Sequence, residues 1–134
     1  MIVVDTNIIA YLYLESGRSS QVEQLLKKDA QWAAPLLWRS ELRNVLALYI
    51  RKNLISLDDA QQIMREAMLL MKGREYEVTS FQVMELVSAS DCSAYDCEFV
   101  ALAEDLGTLL VTADKKILKD FPQIAVSLDR HIES

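Results

Sequence analysis

Met1–Asn7 reads MIVVDTN, a short run of apolar, largely β-branched residues cut off by an acid. An unbroken apolar run of this length is the mark of a strand covered on both faces, as in a parallel sheet. Parallel strands need crossover segments, and those are normally helices. The rest of the chain offers them in alternation. Asn7 to Leu14 reads as a short helix, and Ser20 with Glu23 as a capping box opening a helix through about Lys28. Trp32 to Pro35 is a second strand, with Pro35 at or just before a long helix that runs to about Lys52. Ser56 with Asp59 opens another helix, whose apolar positions Ala60, Ile63, Met64, Ala67 and Met71 keep helical spacing up to Gly73. Glu77 to Thr79 is a weak strand and Phe81 to about Ser90 a helix. Ser93 or Asp91 caps a helix through Leu106, closed by Gly107. Leu109 to Thr112, Lys115 to Asp120 and Ile124 to Ser127 read as strand, short helix and last strand. Strands alternating with helices predict an α/β fold with a mainly parallel central sheet flanked by helices.

The chain has 134 residues, 51% hydrophobic and 25% charged, which suits one globular domain over residues 1–134 and excludes low-complexity or disordered protein. No apolar run approaches the ~20 residues of a membrane span. MIVVD has no basic stretch before an apolar one, so no signal peptide is expected and a cytoplasmic location is. The only histidine, His131, lies near the C-terminus, where a frayed tail would hold an imidazole poorly. Triad and paired-histidine chemistries are therefore not expected. Cys92 and Cys97 are too few for a disulfide framework and wrongly spaced for a zinc knuckle. They read as buried thiols. Three scattered glycines make no phosphate-cradling loop. Fourteen Lys and Arg against twenty Asp and Glu leave a net charge of −6. Nucleic-acid binders normally carry a basic footprint, so a nuclease reading must account for an acidic chain.

Four acids stand out by position. Asp5 and Asp114 follow two strand ends, where open parallel sheets bind ligands. At about 100° per residue, Leu37, Val45 and Leu48 share the face of Glu41, whereas Arg39, Ser40, Arg43, Asn44 and Arg51 gather opposite. A carboxylate on such a stripe calls for something cationic. On the later helix, Glu98, Glu104 and Asp105 point away from the apolar face of Tyr95, Phe99, Leu102, Ala103 and Leu106, towards solvent. Asp96 falls between Val100 and Ala103, at the margin of that face. Each acid alone has a structural explanation: Asp5 and Asp114 as helix caps, Asp96 in a capping box with Ser93, Glu41 near a helix start. Together, without histidine or thiolate, they make a hard-oxygen set suited to Mg²⁺ or Mn²⁺. Such an ion would relieve their repulsion, ionise water and clamp a phosphodiester. It would also draw phosphate to an acidic protein. Lys115 and Lys116, with Arg39 and Arg43, are candidates for contacts to the nucleic-acid backbone.

VVDTN at the N-terminus, SEL in the long helix, SAYDCEFVALAEDLG and LVTADKKI resemble, in order and spacing, the signature segments of PIN-domain ribonucleases. The similarity runs through essentially the whole chain and is nearest to the small VapC-type toxins of toxin–antitoxin pairs. It implies a PIN-like three-layer α/β domain and a Mg²⁺- or Mn²⁺-dependent endoribonuclease that cleaves structured RNA, as the toxin of a type II pair. It maps catalytic and metal-binding roles onto Asp5, Glu41, Asp96 and Asp114, and polar support onto Thr112, Asn7 and Thr6. It further implies a homodimer and a cognate antitoxin that blocks the site. Ala60 to Met71 and Tyr11 to Leu14 would supply a groove for that partner, although the same residues also read as ordinary core. Cys97 departs from the small apolar residue usual at its position, and a basic run is missing. The alternatives are a catalytically inactive PIN-shaped interaction module and a phospho-accepting receiver-like domain. The latter needs an acidic pair after the first strand, where Asp5 is followed by Thr6 and Asn7.

Overall fold

Five short strands form one all-parallel sheet in the computed structural model, which describes residues 1–134. They are β1 (Ile2–Val4), β2 (Trp32–Pro35), β3 (Glu75–Tyr76), β4 (Leu110–Thr112) and β5 (Ala125–Ser127), arranged β3-β2-β1-β4-β5. The apolar run after Met1 is therefore the central strand, with its three residues at most 4% exposed. Val4 stands level with Val111 of β4, and Val3 with Ala33 of β2. The chain steps outward from β1 through β2 to β3, then returns to the other side of β1 for β4 and β5. The order reverses between β1 and β4, and the crevice at such a reversal is where open α/β sheets place ligands.

Eight helices complete the chain: α1 (Thr6–Tyr13), α2 (Ser19–Lys28), α3 (Leu37–Arg51), α4 (Leu57–Met71), α5 (Ser80–Ser88), α6 (Ala94–Leu106), α7 (Lys115–Asp120) and α8 (Leu128–Glu133). Right-handed crossovers put α1 to α4 on one face of the sheet and α5 and α6 on the other. The packing agrees: α1 lies on α2 and α3, α8 on α2, and α6 crosses β1, β2 and β4 with α5 against it. This is the flanked parallel sheet expected from the alternation of elements. Local signals place several boundaries. Ser56 and Asp59 cap α4 reciprocally, each bond 3.0 Å long. Gly107, at φ +62°, supplies the left-handed end of α6.

Other expectations are corrected. The capping box at Ser20 is not formed: α2 begins at Ser19, no side chain caps it, and the Ser19 hydroxyl donates to the Tyr11 carbonyl instead. The weak strand lies at Glu75–Tyr76, two residues before Glu77 to Thr79. It is fixed there by pairing with Ala34 and Pro35 and by the Glu75 carboxylate, which accepts from Trp38 Nε1 and from Arg39 Nε and Nη2 at 2.6–2.8 Å. Residues after β5 are not a frayed tail but α8, so His131 is half-buried against α2, and burial holds its imidazole below the ordinary value. On α3 the buried stripe is Trp38, Leu42 and Leu46, one residue round from the stripe drawn through Glu41, and Leu48 is 48% exposed. On α6, Tyr95 is exposed rather than core. No helix is long and apolar enough to cross a membrane.

The α3 register makes a stability prediction. Leu42→Ala should cost about 2–5 kcal/mol in urea unfolding, because it opens a hole in packed core. Leu48→Ala should stay within about 0.5 kcal/mol, as surface changes do. Similar losses for the two would place the buried face wrongly.

Candidate active site at the carboxyl ends of β1 and β4

Asp5 follows β1 directly and caps α1, its Oδ1 accepting from the Thr6 N–H at 2.8 Å. Its other oxygen faces β4. The register that sets Val4 beside Val111 sets Asp5 beside Thr112, and the Asp5 N–H donates to the Val111 carbonyl at 3.0 Å. The buried Thr112 hydroxyl donates to Asp5 Oδ2 at 2.6 Å and accepts from the Asp114 N–H at 3.0 Å. One hydroxyl thus ties the two strand ends together. Asn7 makes a longer bridge, 3.4 Å from Nδ2 to Asp5 Oδ2 and 3.4 Å from the Ala113 N–H to Asn7 Oδ1. Thr6 reaches the other way, its hydroxyl donating to Glu41 Oε1 on α3 at 2.6 Å. All three residues of the DTN segment are engaged.

Asp114 caps α7, Oδ1 accepting from the Lys116 and Ile117 N–H groups at 2.8 and 3.0 Å. Asp96 is the third residue of α6, and its backbone N–H donates to the capping Ser93 hydroxyl. Its side chain does not complete the reciprocal box. Asp5, Glu41, Asp96 and Asp114 come from four separate segments and from both faces of the sheet, and all line one cavity of about 630 Å³. Thr6, Asn7, Leu37, Ser40, Asn44, Val45 and Tyr95 complete its wall, and no Lys, Arg or His is among them. The cation expected to meet Glu41 is a hydroxyl instead.

The electrostatics follow. Burial pushes the Asp5 carboxyl up to about 6. The bonds from Thr112 and Thr6 oppose that shift, and the charges of Glu41 and Asp96 add to it. Glu41 is likewise raised, first by burial, against the pull of the Thr6 hydroxyl, and further by Asp96. No three His, Cys, Asp or Glu side chains converge closely enough to enclose a metal ion by themselves. The donor chemistry nonetheless fits a hard divalent cation: oxygens only, mutually repelling, in a cavity without a counter-charge. Mg²⁺ commonly keeps several waters and takes only one or two carboxylates, so a full cage is not required.

The lysines and arginines fall elsewhere. Lys115 and Lys116 are exposed on α7 and do not line the cavity. Arg39 is held in its ion pair with Glu75 and is not free for a backbone contact. Arg43 is exposed, with its guanidinium on the Ser40 hydroxyl at 3.0 Å. Glu98, expected in solvent, is half-buried; burial and the charge of Glu41 raise its carboxyl, so it lies at the flank of the site. Ser40, Asn44 and Tyr95 line the cavity although the sequence reading turned them away. The signal was present: Leu37, Ser40, Glu41, Asn44 and Val45 fall on one face at the 0, 3, 4, 7, 8 spacing of a helix.

Comparison with known proteins agrees with this fold. The PIN domain family profile matches residues 2–124. A ribonuclease of Pyrobaculum aerophilum, VapC3, is 29% identical over 126 residues, covering 92% of this chain and 96% of the relative. The crystal structure of PAE2754 from the same organism superposes with a TM-score of 0.77 at 18% identity, covering 98% of this chain and 86% of that one. A toxin–antitoxin complex from Klebsiella pneumoniae gives 0.71 at 18% identity, covering 96% and 98%.

The raised Asp5 carboxyl sets a pH dependence for metal-free protein. Asp5 is protonated more readily when folded than when unfolded, so its contribution to stability falls as pH rises from about 4 to about 6. A rise of about two pKa steps corresponds to roughly 3 kcal/mol. Asp5→Asn, which removes the buried charge, should therefore raise the melting temperature in EDTA at pH 7 and lose that advantage near pH 4. A lower melting temperature at pH 7 would contradict the assignment.

Proposed function

The chain belongs to the PIN domain family, and from that premise we propose that it is a divalent-metal-dependent endoribonuclease, the toxin of a type II toxin–antitoxin pair. The observation that carries this reading is the meeting of Asp5, Glu41, Asp96 and Asp114 in one cavity without a counter-charge. The ribonuclease relative and the toxin–antitoxin neighbour support it. One or two of the four carboxylates, with water completing the shell, would hold Mg²⁺ or Mn²⁺, which when bound supplies Lewis acidity and an ionised water for hydrolysis of a phosphodiester. Thr112 and Thr6 orient the acids, their hydroxyls donating to Asp5 Oδ2 and Glu41 Oε1. Asn7 restrains Asp5 against the segment after β4. Until the cavity is neutralised, these acids repel an RNA phosphate, so binding of substrate and of metal are coupled in this chain. Lys115 and Lys116, exposed beside Asp114, would meet the RNA backbone outside the cavity.

The partner surfaces belong to the same reading. A groove of about 400 Å³ between α3 and α4, lined by Leu46, Ile50, Ala60 and Met64 and flanked by Arg43 and Arg65, suits an apolar antitoxin segment carrying acids. Most of Ala60, Ala67 and Met71 is core, so only the outer face of α4 is available to it. Phe81 and Met84 on α5, 86% and 58% exposed, suit contact with a second copy. Cytoplasmic action follows from the presence of RNA there.

Purified protein should cleave RNA when given Mn²⁺ or Mg²⁺ and stop on addition of EDTA, read by gel or by a fluorophore–quencher oligonucleotide. Changes to groups that orient metal ligands typically cost ~10–100-fold, and loss of a direct ligand at least as much. Thr112→Val should lose activity within that range, and Asp96→Asn by about 100-fold or more, with the far-ultraviolet circular dichroism unchanged. Cleavage by Asp96→Asn at the wild-type rate would remove the acids from the chemistry.

A further inference from the structure

We infer that Tyr95 is a stacking platform for an unpaired nucleobase next to the phosphodiester held at the four acids, so that this site selects single-stranded RNA at the position of cleavage. The inference rests on the ribonuclease reading and goes beyond it by naming a substrate-positioning residue. Tyr95 stands in the first turn of α6, immediately before Asp96, and both residues line the cavity. Its side chain is 62% exposed, whereas Phe99, one turn later on the same helix, is 1% exposed. Of the five tyrosines it alone is exposed; the other four are half-buried. An aromatic ring kept in water at the mouth of a polar site has a π-face available, and every nucleobase offers a matching one.

Room and chemistry agree. The cavity, at about 630 Å³, lies within the ~300–1,000 Å³ usual for small-ligand sites and so holds more than a phosphate group. The same cavity wall carries Ser40 and Asn44 from α3, neutral groups that can hydrogen-bond a base edge or a ribose hydroxyl. A base inside a duplex has its faces covered by its neighbours and cannot present one to the ring. Stacking also reads no hydrogen-bond pattern, so it imposes strandedness more than sequence.

The test uses full-length wild type, Tyr95→Ala and Tyr95→Phe with a short RNA carrying 2-aminopurine, both single-stranded and annealed to its complement. Mixed rapidly in Mn²⁺ and read before turnover, the wild type and Tyr95→Phe should quench the 2-aminopurine of the single strand, and Tyr95→Ala should not. With Mn²⁺, Tyr95→Ala should raise KM for the single strand by roughly 5- to 100-fold, the range of one lost base–aromatic stack, with kcat changed far less. Tyr95→Phe should match the wild type, and the duplex should be a poor substrate for all three. Wild-type cleavage with equal KM and equal quenching by Tyr95→Ala would overturn the stacking role and leave the ribonuclease reading standing. A wild type that neither binds nor cleaves RNA under Mn²⁺ would overturn both.

Discussion

The bond from the Thr112 hydroxyl to the Asp5 carboxylate is the contact on which the geometry of the site depends. It exists because β1 and β4 are neighbours in a fixed parallel register, and it extends their backbone ladder with a side-chain bond at the sheet's reversal point. The same hydroxyl receives the Asp114 N–H, so a single oxygen links the two acids that follow the paired strand ends. From Asp5 the chain turns straight into α1, whose first residue holds Glu41 of α3. Position at the sheet therefore passes through Thr6 to a helix on one face, while α6 brings Asp96 from the other.

This arrangement works against the stability of the fold. Asp5 is only 8% exposed, and the nearest charges are of its own sign. A protein selected for stability alone would place a cation there, yet the two half-buried arginines are committed elsewhere. Arg39 is turned to Glu75, and Arg74 is occupied with the carbonyls of Trp32 and Leu70. Both support the β2–β3 edge and leave the cavity uncompensated. Local instability tied to buried carboxylates is a common property of sites that await a ligand of opposite charge.

The fold was legible because its signals were local and redundant. A β-branched run, capping pairs at Ser56 and Ser93, and a glycine at the end of α6 each define an element without help from distant residues. Asp5, Asp96 and Asp114 were legible from their place after strands or at the margin of a helix. Glu41 was selected by an argument that was off by one helical position: it lies beside the buried stripe of Trp38, Leu42 and Leu46, not on it. A hydrophobic pattern on a helix that borders a cavity has two apolar edges, and the wheel alone does not tell core from cavity wall. The same ambiguity sent Tyr95 inward and Glu98 outward. The start of α2 and the position of β3 were set by tertiary contacts, the Ser19 bond to Tyr11 and the hold of Trp38 and Arg39 on Glu75, which no local window contains.

The bond between Thr112 and Asp5 joins residues 107 apart in the chain. Closing so large a loop is slow in folding, and it waits on the fourth of the five strands. While a ribosome is still making the protein, β1, α1 and α3 emerge long before Leu110 to Asp114 exist. Translation thus delivers the acids in two instalments, and an unfinished chain carries only a fragment of the centre. The full set of acids is therefore assembled only once β4 has docked beside β1.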